Sequence, residues 1–419
     1  MVKEFWILLL TLRKVINYFI VFIQGMSSSI PFVLVTTTLQ SWYIAMGASL
    51  TTLGWLALIN QAYLFKFLWA NYCDIYIPFG YQLRKSWIIS MQLMIILLTS
   101  IIAALSPVEN TFLLGLIAAL IALFSATQDL NIDAYRSELI AHKGSQEKRI
   151  NTFYIVGFRL GYLLAGAGSL LIAQGYSWQI AYQSMVIIMI VICLITVKSH
   201  EKPYTYQAGN FSKINAIKCL WSKKNSGLLL SFIFFFEFGD SLVNSIYPAY
   251  LYQVKKYDLG QIALLIKATN IMALSLSPLI AILLLRLNSF FKAISLGLIG
   301  EAICLILLSV MSDTMSHLFW VQLSLGLFEG LLGVFIIILY TDLAQGPLCA
   351  FNYAFIAAIG GLKSLFTPAL AVGMVHYFSW QTLFNLGAVL TLPSYLISNY
   401  LIKQVKNNNF QYAANHLAK

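Results

Sequence analysis

The sequence predicts an all-α integral membrane protein with about twelve transmembrane helices, and three observations lead to this fold class. Of its 419 residues, 60% are hydrophobic and only 10% are charged, whereas soluble domains are roughly 45–50% apolar and about 25% charged. About twelve apolar stretches are long enough to cross a bilayer. The cations concentrate in alternate connections between these stretches. A soluble fold, a disordered chain and a fibrous protein are therefore excluded.

The predicted spans follow one another along the whole chain. They cover residues 16–40, 50–70, 86–106, 111–135, 151–173, 178–197, 226–252, 259–285, 290–310, 317–341, 348–375 and 380–402. The longest polar stretch is basic and separates the first six spans from the last six. We therefore predict an N-terminal six-helix bundle at 1–197, a basic cytoplasmic linker at 198–225, a C-terminal six-helix bundle at 226–402 and a cytoplasmic tail at 403–419.

The distribution of Lys and Arg predicts the orientation in the membrane. Of the 26 such residues, 20 fall at the termini and in the even-numbered connections, Arg136 among them, and only Lys255 and Lys256 fall on the opposite side. Because positively charged loops remain in the cytoplasm, both termini are predicted to be cytoplasmic. The net charge of +11 follows this loop topology. The expected partner of these cations is therefore anionic membrane lipid, with no nucleic acid.

Weak internal repeats predict a duplicated bundle. Residues 25–31 in span one read GMSSSIP and residues 239–248 in span seven read GDSLVNSIYP. Gly and Pro are expected to interrupt these two helices, which is tolerated where the backbone lines a cavity. The breaks point to a central pathway. In span five, Gly157, Gly161 and Ala165 are spaced four apart, which favours close helix packing.

Ionisable residues inside the spans are the main candidates for a functional site, because each costs at least ~2.5–3.5 kcal/mol at the bilayer centre. They are Lys66, Asp129, Asp133 and Arg159 in the N-terminal half and Glu237, Asp240, Lys267, Glu301, Glu329 and Lys363 in the C-terminal half.

Asp129 and Asp133 are four residues apart and therefore share one helix face. Two carboxylates that close favour protonation of one of them, whereas a nearby Lys66 or Arg159 keeps both ionised. The pair is thus either a proton site for transport or a static charge cluster, and the sequence leaves both open.

Asp240 lies three residues after Glu237 and is expected to pair with Lys267 or Lys363. Glu301 has no obvious companion in the sequence, so a structural or cavity-edge role is expected for it.

Residues 74–85 read DIYIPFGYQLRK and place a carboxylate before a Gly-containing turn and a basic pair. An acidic span end that faces basic residues can latch neighbouring helices in a way that a conformational change breaks and remakes. Asp74, Arg84 and Lys85 are the predicted conformational latch. The pattern resembles the signature loop of the major facilitator superfamily, and this resemblance implies the major facilitator fold, with two six-helix bundles.

Longer motifs resemble the AmpG muropeptide permease family. They are GMSSSIPFVLVTTTLQSW (25–42), NQAYLFKFLWA (60–70), SATQDLNIDAYR (125–136) and GFRLG (157–161), with FGDS (238–241), IKAT (266–269) and FEG (328–330) in the second half. The resemblance implies import of anhydro-muropeptides, cell-wall fragments released during peptidoglycan turnover, across the bacterial inner membrane. It implies proton symport with alternating access, so that the proton gradient is the energy source and no cofactor is expected.

The candidate site residues combine the resemblance with the intramembrane charges. The predicted proton-coupling residues are Asp129, Asp133, Asp240 and Glu329. The predicted substrate-binding residues are Lys66, Gln128, Arg159, Lys267, Lys363 and Trp42, the last because an indole can stack on a sugar face.

Two alternatives remain at this stage. A related branch of similar length imports siderophores, which are also bulky polar anions, and the motifs do not separate the two cargoes.

A membrane-embedded enzyme needs a nucleophile with a base, or metal ligands at fixed spacing. The five His residues show no such grouping, the five Cys residues are scattered, and no phosphate-binding GxxxxGK[ST] occurs. We therefore predict a monomeric transporter of a small molecule, with no enzymatic activity and no metal site.

Overall fold

The computed structural model describes residues 2–46, 56, 59, 61–80, 82–105, 110–143, 147–199, 217–218, 220–221, 225–257, 259–287, 290–311, 314–345 and 348–406. The regular elements within these ranges are all helical. The chain divides into two compact units. Unit 1 comprises Met1–Lys213 with Ala344–Ala354, and unit 2 comprises Ile214–Leu343 with Phe355–Lys419.

Unit 1 contains nine α-helices within its described residues and the first turns of a tenth. They are α1 Val2–Val33, α2 Leu39–Ala45, α3 Gln61–Phe65, α4 Phe67–Ile75, α5 Leu83–Ala104, α6 Thr111–Lys143, α7 Glu147–Leu163, α8 Ser169–Gly175 and α9 Trp178–Lys198. Short π-helical segments, Leu34–Thr38 and Leu164–Gly168, join α1 to α2 and α7 to α8.

The helices that follow lie in unit 2, except for the beginning of α17. They are α10 Ser226–Phe235, α11 Phe238–Asn244, α12 Tyr247–Ala249, α13 Leu259–Ser275, α14 Ser277–Leu287, α15 Phe290–Val310, α16 Met315–Ala344, α17 Cys349–Gly361, α18 Thr367–Tyr377, α19 Trp380–Leu390 and α20 Leu392–Lys406. A π-helical segment, Tyr250–Val254, follows α12, and a 3₁₀ segment, Leu362–Leu365, follows α17. Helix α17 begins in unit 1 and continues in unit 2.

Ten segments of the described residues are long and apolar enough to cross a membrane. Of the two other predicted spans, most of residues 50–60 lies outside the described residues, and 380–402 falls on α19 and α20, which are separated at Thr391. Large apolar side chains such as Phe112, Leu171 and Leu194 are exposed on the helices, as expected where lipid is the solvent. The predicted all-α membrane fold is confirmed.

Helices α1 and α7 touch along backbone faces that lack side chains. A Cβ on Gly157 would collide with the carbonyl oxygen of Phe22, and a Cβ on Gly161 would meet the backbone of Met26. The Thr38 hydroxyl also donates to the carbonyl oxygen of Ala165 at 2.7 Å. The packing role predicted for the small-residue face of span five is confirmed.

Span one differs from the prediction, because α1 continues through Gly25 and Pro31 without interruption. Proline has no N–H, so the carbonyl four residues before it loses its helical partner. That carbonyl belongs to Ser27, and it accepts a hydrogen bond from Gln128 Nε2 at 2.7 Å. A side chain of α6 therefore replaces the missing backbone donor, and the helix remains intact.

Span seven is interrupted at two places, as predicted, and the second break lies directly before the helical turn that contains Pro248. Helix α10 ends at Phe235, and Glu237 adopts a left-handed conformation with φ of 51° before α11 begins. A second break, at 245–246, precedes α12. Gly239, in contrast, is where α11 approaches α19, because a Cβ there would collide with the backbone of Gly387.

Candidate functional site

A buried group of charges in unit 1, which we call the Lys66 cluster, consists of Lys66, Asp129, Asp133 and Arg136. Lys66 occupies the turn between α3 and α4, and the other three lie on α6. Lys66 Nζ pairs with Asp129 Oδ2 and lies 3.4 Å from Asp133 Oδ2. Arg136 Nη2 donates to Asp133 Oδ1 at 2.9 Å. Asp133 therefore has a cation at each of its carboxylate oxygens.

Arg136 corrects the sequence analysis, which counted it among the loop cations and considered Lys66 or Arg159 as the partner of the two aspartates. Its side chain is fully buried. The guanidinium lies 3.8 Å from the centre of the Tyr154 ring and donates to Tyr353 Oη at 2.8 Å. The spacing of three residues after Asp133 was the signal that was missed, because residues i and i+3 meet on a helix.

Hydroxyl groups from two other helices surround Asp129. Ser28, on α1, donates to Asp129 Oδ1. Tyr154, on α7, lies 3.3 Å from the same oxygen and 3.2 Å from Ser28 Oγ. Neither hydroxyl was among the predicted site residues, although Ser28 belongs to the GMSSSIP motif. The cluster thus joins α1, α6, α7 and the turn at Lys66.

The Lys66 cluster is balanced, with two carboxylates and two cations. Its aspartate side chains are 15% and 5% exposed. Buried charges tolerate this environment only when they are paired and hydrogen-bonded, and removal of one partner leaves an uncompensated charge. Chemically, the cluster can bind an added anion at its cations only if one carboxylate moves away or takes up a proton.

The predicted latch residues of unit 1 form a second ionic group. Arg84 pairs with Asp74 at 2.5 Å and with Glu138 at 2.6 Å. Lys85 donates to the carbonyl oxygen of Ser199 at 2.9 Å. The structure thus brings Asp74 and Arg84 together as predicted and adds Glu138, which the sequence analysis did not consider.

Asp74 also binds the beginning of α17. Its two oxygens accept hydrogen bonds from the backbone N–H groups of Ala350 at 3.1 Å and Phe351 at 3.0 Å. These N–H groups are among the first of the helix, have no partner within it, and carry the positive end of its dipole. One buried carboxylate therefore holds both an arginine and a helix N-terminus.

Unit 2 contains an acidic group, which we call the Glu301 cluster. It comprises Glu237, Asp240, Glu301, Glu329 and Lys363. Asn244 Nδ2 donates to both oxygens of Asp240, at 2.8 and 2.9 Å, and lies 3.3 Å from Glu329 Oε1. Among the described residues, no three His, Cys, Asp or Glu side chains are placed to hold a metal ion.

The Lys363 side chain binds at the helix break of span seven. Its Nζ donates to the carbonyl oxygen of Phe236, the residue directly before left-handed Glu237. A carbonyl at the end of an interrupted helix has no helical partner. Lys363 therefore stabilises the break and adds one positive charge to a region with four carboxylates.

The remaining predicted site residues lie elsewhere or are only partly described. Arg159 is half-buried on α7, and Lys267 lies on α13 with its side chain outside the described residues. Trp42 is 2% exposed and stacks on Trp178 at a ring distance of 5.8 Å. In this conformation other side chains of the protein, Trp178 among them, therefore cover the indole that was predicted to bind a sugar.

Comparisons with known proteins agree with the fold. The family profile of the Major Facilitator Superfamily matches residues 18–345. The chain is 24% identical over 388 residues to the Anhydromuropeptide permease of Escherichia coli (strain K12), over 90% of this chain and 78% of the relative. It is also 24% identical over 397 residues to the Putative transporter AmpG 1 of Rickettsia bellii (strain RML369-C), over 90% of this chain and 96% of the relative.

Solved structures give the same architecture. The Escherichia coli fucose:proton symporter FucP is similar with a TM-score of 0.68 and 12% identity, over 92% of this chain and 97% of that one. The proton:xylose symporter XylE is similar with a TM-score of 0.70 and 14% identity, over 93% and 95% of the two chains. The predicted resemblance to AmpG permeases is confirmed by the relatives, and the predicted fold by the solved structures.

Proposed function

Because the chain belongs to the major facilitator superfamily, we propose that it is a multi-pass secondary transporter that imports anhydro-muropeptides by proton symport. The cargo is inferred from the Escherichia coli relative, whose name is Anhydromuropeptide permease. The single structural observation that supports proton coupling is the Lys66 cluster, because both of its cations pair with aspartates in a membrane-spanning unit.

The proposed coupling is a competition for Lys66. An anhydro-muropeptide carries free peptide carboxylates, and these need a cation in the binding site. Lys66 is already paired with Asp129 and lies 3.4 Å from Asp133. Protonation of either aspartate releases positive charge for the cargo, and the arriving anion in turn favours the neutral aspartate. Cargo and proton therefore bind together more readily than either binds alone.

The latch completes the proposed cycle. The Asp74 carboxylate holds Arg84 and the N-terminus of α17 in the conformation described. We propose that these contacts break and re-form as access alternates between the two membrane faces. The proton gradient is the proposed energy source, and no cofactor takes part.

The proposed orientation places both termini in the cytoplasm of a bacterium and the transporter in its inner membrane. The basis is the excess of Lys and Arg in one set of loops. Reporter fusions after residues 45, 108 and 256 should face the periplasm, and fusions after residues 82, 210 and 410 should face the cytoplasm. An inversion within the first half would contradict this orientation.

The cargo is tested by uptake. In a bacterium without its own muropeptide permease, expression of this protein should restore import of labelled anhydro-disaccharide peptide. A protonophore should abolish the import, and the strain without the protein is the control for background entry. If import is not restored, but the protein rescues growth on a supplied siderophore under iron limitation, the muropeptide assignment is wrong and the siderophore alternative is correct.

A further inference from the structure

We propose that Glu301 is a proton-binding site of unit 2, separate from Asp129 and Asp133, and that its proton is released and rebound during transport. The inference rests on the proposed proton symport for its role in the cycle. The binding of the proton itself is argued from the side chain and its surroundings.

Glu301 lies on α15 and is fully buried. Neither of its carboxylate oxygens has a hydrogen-bond partner among the residues that the structure describes. Two other buried carboxylates have such partners: Asp74 has an arginine and two backbone N–H groups, and Asp133 has two cations. An ionised carboxylate without donors is strongly disfavoured in an apolar interior. A bound proton removes that charge.

The helices around Glu301 approach one another closely. A Cβ on Gly300 would collide with the ring of Phe328, which brings α15 against α16 directly beside Glu301 and Glu329. A Cβ on Gly387 would meet the side chains of Val243 and Leu305, which joins α19 to α11 and α15. Glu301 and Glu329 therefore lie on two helices in direct contact, and α11, which carries Asp240, is linked to α15 through α19.

The charged groups that act on Glu301 are Asp240 and Glu237 from the interrupted span seven, Glu329 from α16, and Lys363 from the segment after α17. Helices α19 and α20 also pack against α15. Helix α19 carries no ionisable side chain, and the lysines of α20, Lys403 and Lys406, lie beyond Ser398, which contacts Ser295 six residues before Glu301. Three of the four neighbouring charges are therefore negative. Lys363 is the one cation in this described set, and its amine is held by the carbonyl of Phe236.

Glu301 has fewer hydrogen-bond donors than Asp240 or Glu329 and therefore gains more from a proton than these two acids. Asp240 accepts two hydrogen bonds from Asn244, and Glu329 lies 3.3 Å from the same amide. Such donors stabilise a negative charge. Glu301 has no such donor in the described structure. Repulsion from the neighbouring carboxylates raises the free energy of its charged form, so its neutral form is favoured.

The same cluster gives the proton a route. Asp240 and Glu329 are partly buried, whereas Asn244 is exposed. Under this proposal the proton reaches buried Glu301 by way of these less buried acids, which act on it electrostatically. A proton that only stabilised the fold would need no such chain, and an apolar residue would serve there equally well.

The first test is independent of any cargo. Infrared spectra of the purified protein at neutral pH should contain the carbonyl band of a protonated carboxylic acid, and Glu301→Gln should lose it. Because Gln has nearly the shape of a protonated Glu, the variant should also fold with wild-type yield. An unchanged band in Glu301→Gln would overturn the proposal.

The second test measures coupling in proteoliposomes with a pH difference of about one unit. Each coupled proton then supports up to about tenfold accumulation, because tenfold in an equilibrium corresponds to one unit of pH. Glu301→Gln should therefore lower the steady-state accumulation of labelled anhydro-disaccharide peptide by about tenfold. Accumulation equal to that of the wild type would show a fixed proton and overturn the role in transport.

A conservative variant covers the case in which Glu301→Gln does not fold. Glu301→Asp keeps a carboxyl group, so the protonated-acid band should persist and its pH midpoint should shift. An unshifted midpoint would mean that the band belongs to another residue. If the wild type takes up no muropeptide, the proposed function fails while the infrared result still decides whether Glu301 binds a proton.

Discussion

The Lys66 cluster of unit 1 and the Glu301 cluster of unit 2 differ in how many cations neutralise their carboxylates. In unit 1, Asp129 and Asp133 are held by Lys66 and Arg136, so the charges balance. In unit 2, four carboxylates share one described cation, Lys363, whose amine binds a backbone carbonyl. A balanced cluster suits exchange of one anion for another, whereas an acidic excess suits proton binding. Under the proposed function, cargo recognition therefore lies mainly in unit 1, and unit 2 holds a second proton.

The largest expected effect is the loss of Lys66. Lys66→Met leaves Asp129 and Asp133 with less positive charge in a buried position, and breaking a buried pair typically costs about 3–5 kcal/mol. We expect a much lower folding yield and a lower thermal unfolding temperature in detergent. Lys66→Arg is the matched control, because it keeps the charge. If Lys66→Met is as stable as the wild type, the balance described for unit 1 does not stabilise the fold.

Asp129→Asn and Asp133→Asn sharpen the comparison at the level of transport. Each removes a carboxylate that takes part in the proposed competition for Lys66, so each should abolish accumulation driven by a proton gradient while the protein remains in the membrane. Glu301→Gln, in the other unit, should only reduce it by about tenfold. A variant that still concentrates cargo at the wild-type rate would assign its aspartate to a static cluster, and Asp240 or Glu329 would be the next candidates.

Lys363→Met tests the cation of unit 2 in the same way as Lys66→Met tests that of unit 1. The variant loses a charged hydrogen bond to the carbonyl of Phe236, which is worth about 1.5–3 kcal/mol. We expect a smaller drop in unfolding temperature than for Lys66→Met, measured under identical conditions. An equal or larger drop would mean that Lys363 neutralises the acids directly, and the contrast between the two units would disappear.

The smallest effect on transport is expected for the latch, which lies outside both clusters. Asp74→Asn keeps an acceptor oxygen for only one of the N–H groups of Ala350 and Phe351, and it removes the charge that pairs with Arg84. We expect cargo affinity within about twofold of the wild type and a transport rate lower by several fold, because the latch biases conformations rather than binding cargo. Equilibrium binding and initial uptake rates separate the two quantities. A change in affinity alone would contradict the latch.

The fold class was predictable because a bilayer imposes long apolar helices, whatever the details of packing. The spacing of Asp129 and Asp133 likewise predicted a shared helix face. Arg136 was misplaced because a residue near a span end reads as a loop cation, and only the tertiary structure shows that Tyr154 and Tyr353 enclose it. The sequence identifies which charges enter the membrane, but not how they pair.

Helix breaks were predicted from the positions of Gly and Pro, but where a helix breaks also depends on tertiary contacts. Pro31 lies in a continuous helix because Gln128 satisfies the carbonyl it leaves free, and Gln128 is distant in sequence. Glu237 marks the first break of span seven, where no Gly or Pro stands, and Lys363 stabilises it from another segment, whereas the second break precedes Pro248. Glu301 was given only a structural or cavity-edge role, because its neighbours come from three other parts of the chain.

The most direct test of the proposed symport is a simultaneous measurement of cargo and proton flux in proteoliposomes without an imposed gradient. Addition of labelled anhydro-disaccharide peptide outside should drive cargo inward and raise the external pH, because protons enter with it. Asp133→Asn should abolish the pH change, and Glu301→Gln should reduce the number of protons per cargo molecule. Uptake of the peptide with no change in external pH, in the wild type, would contradict proton symport.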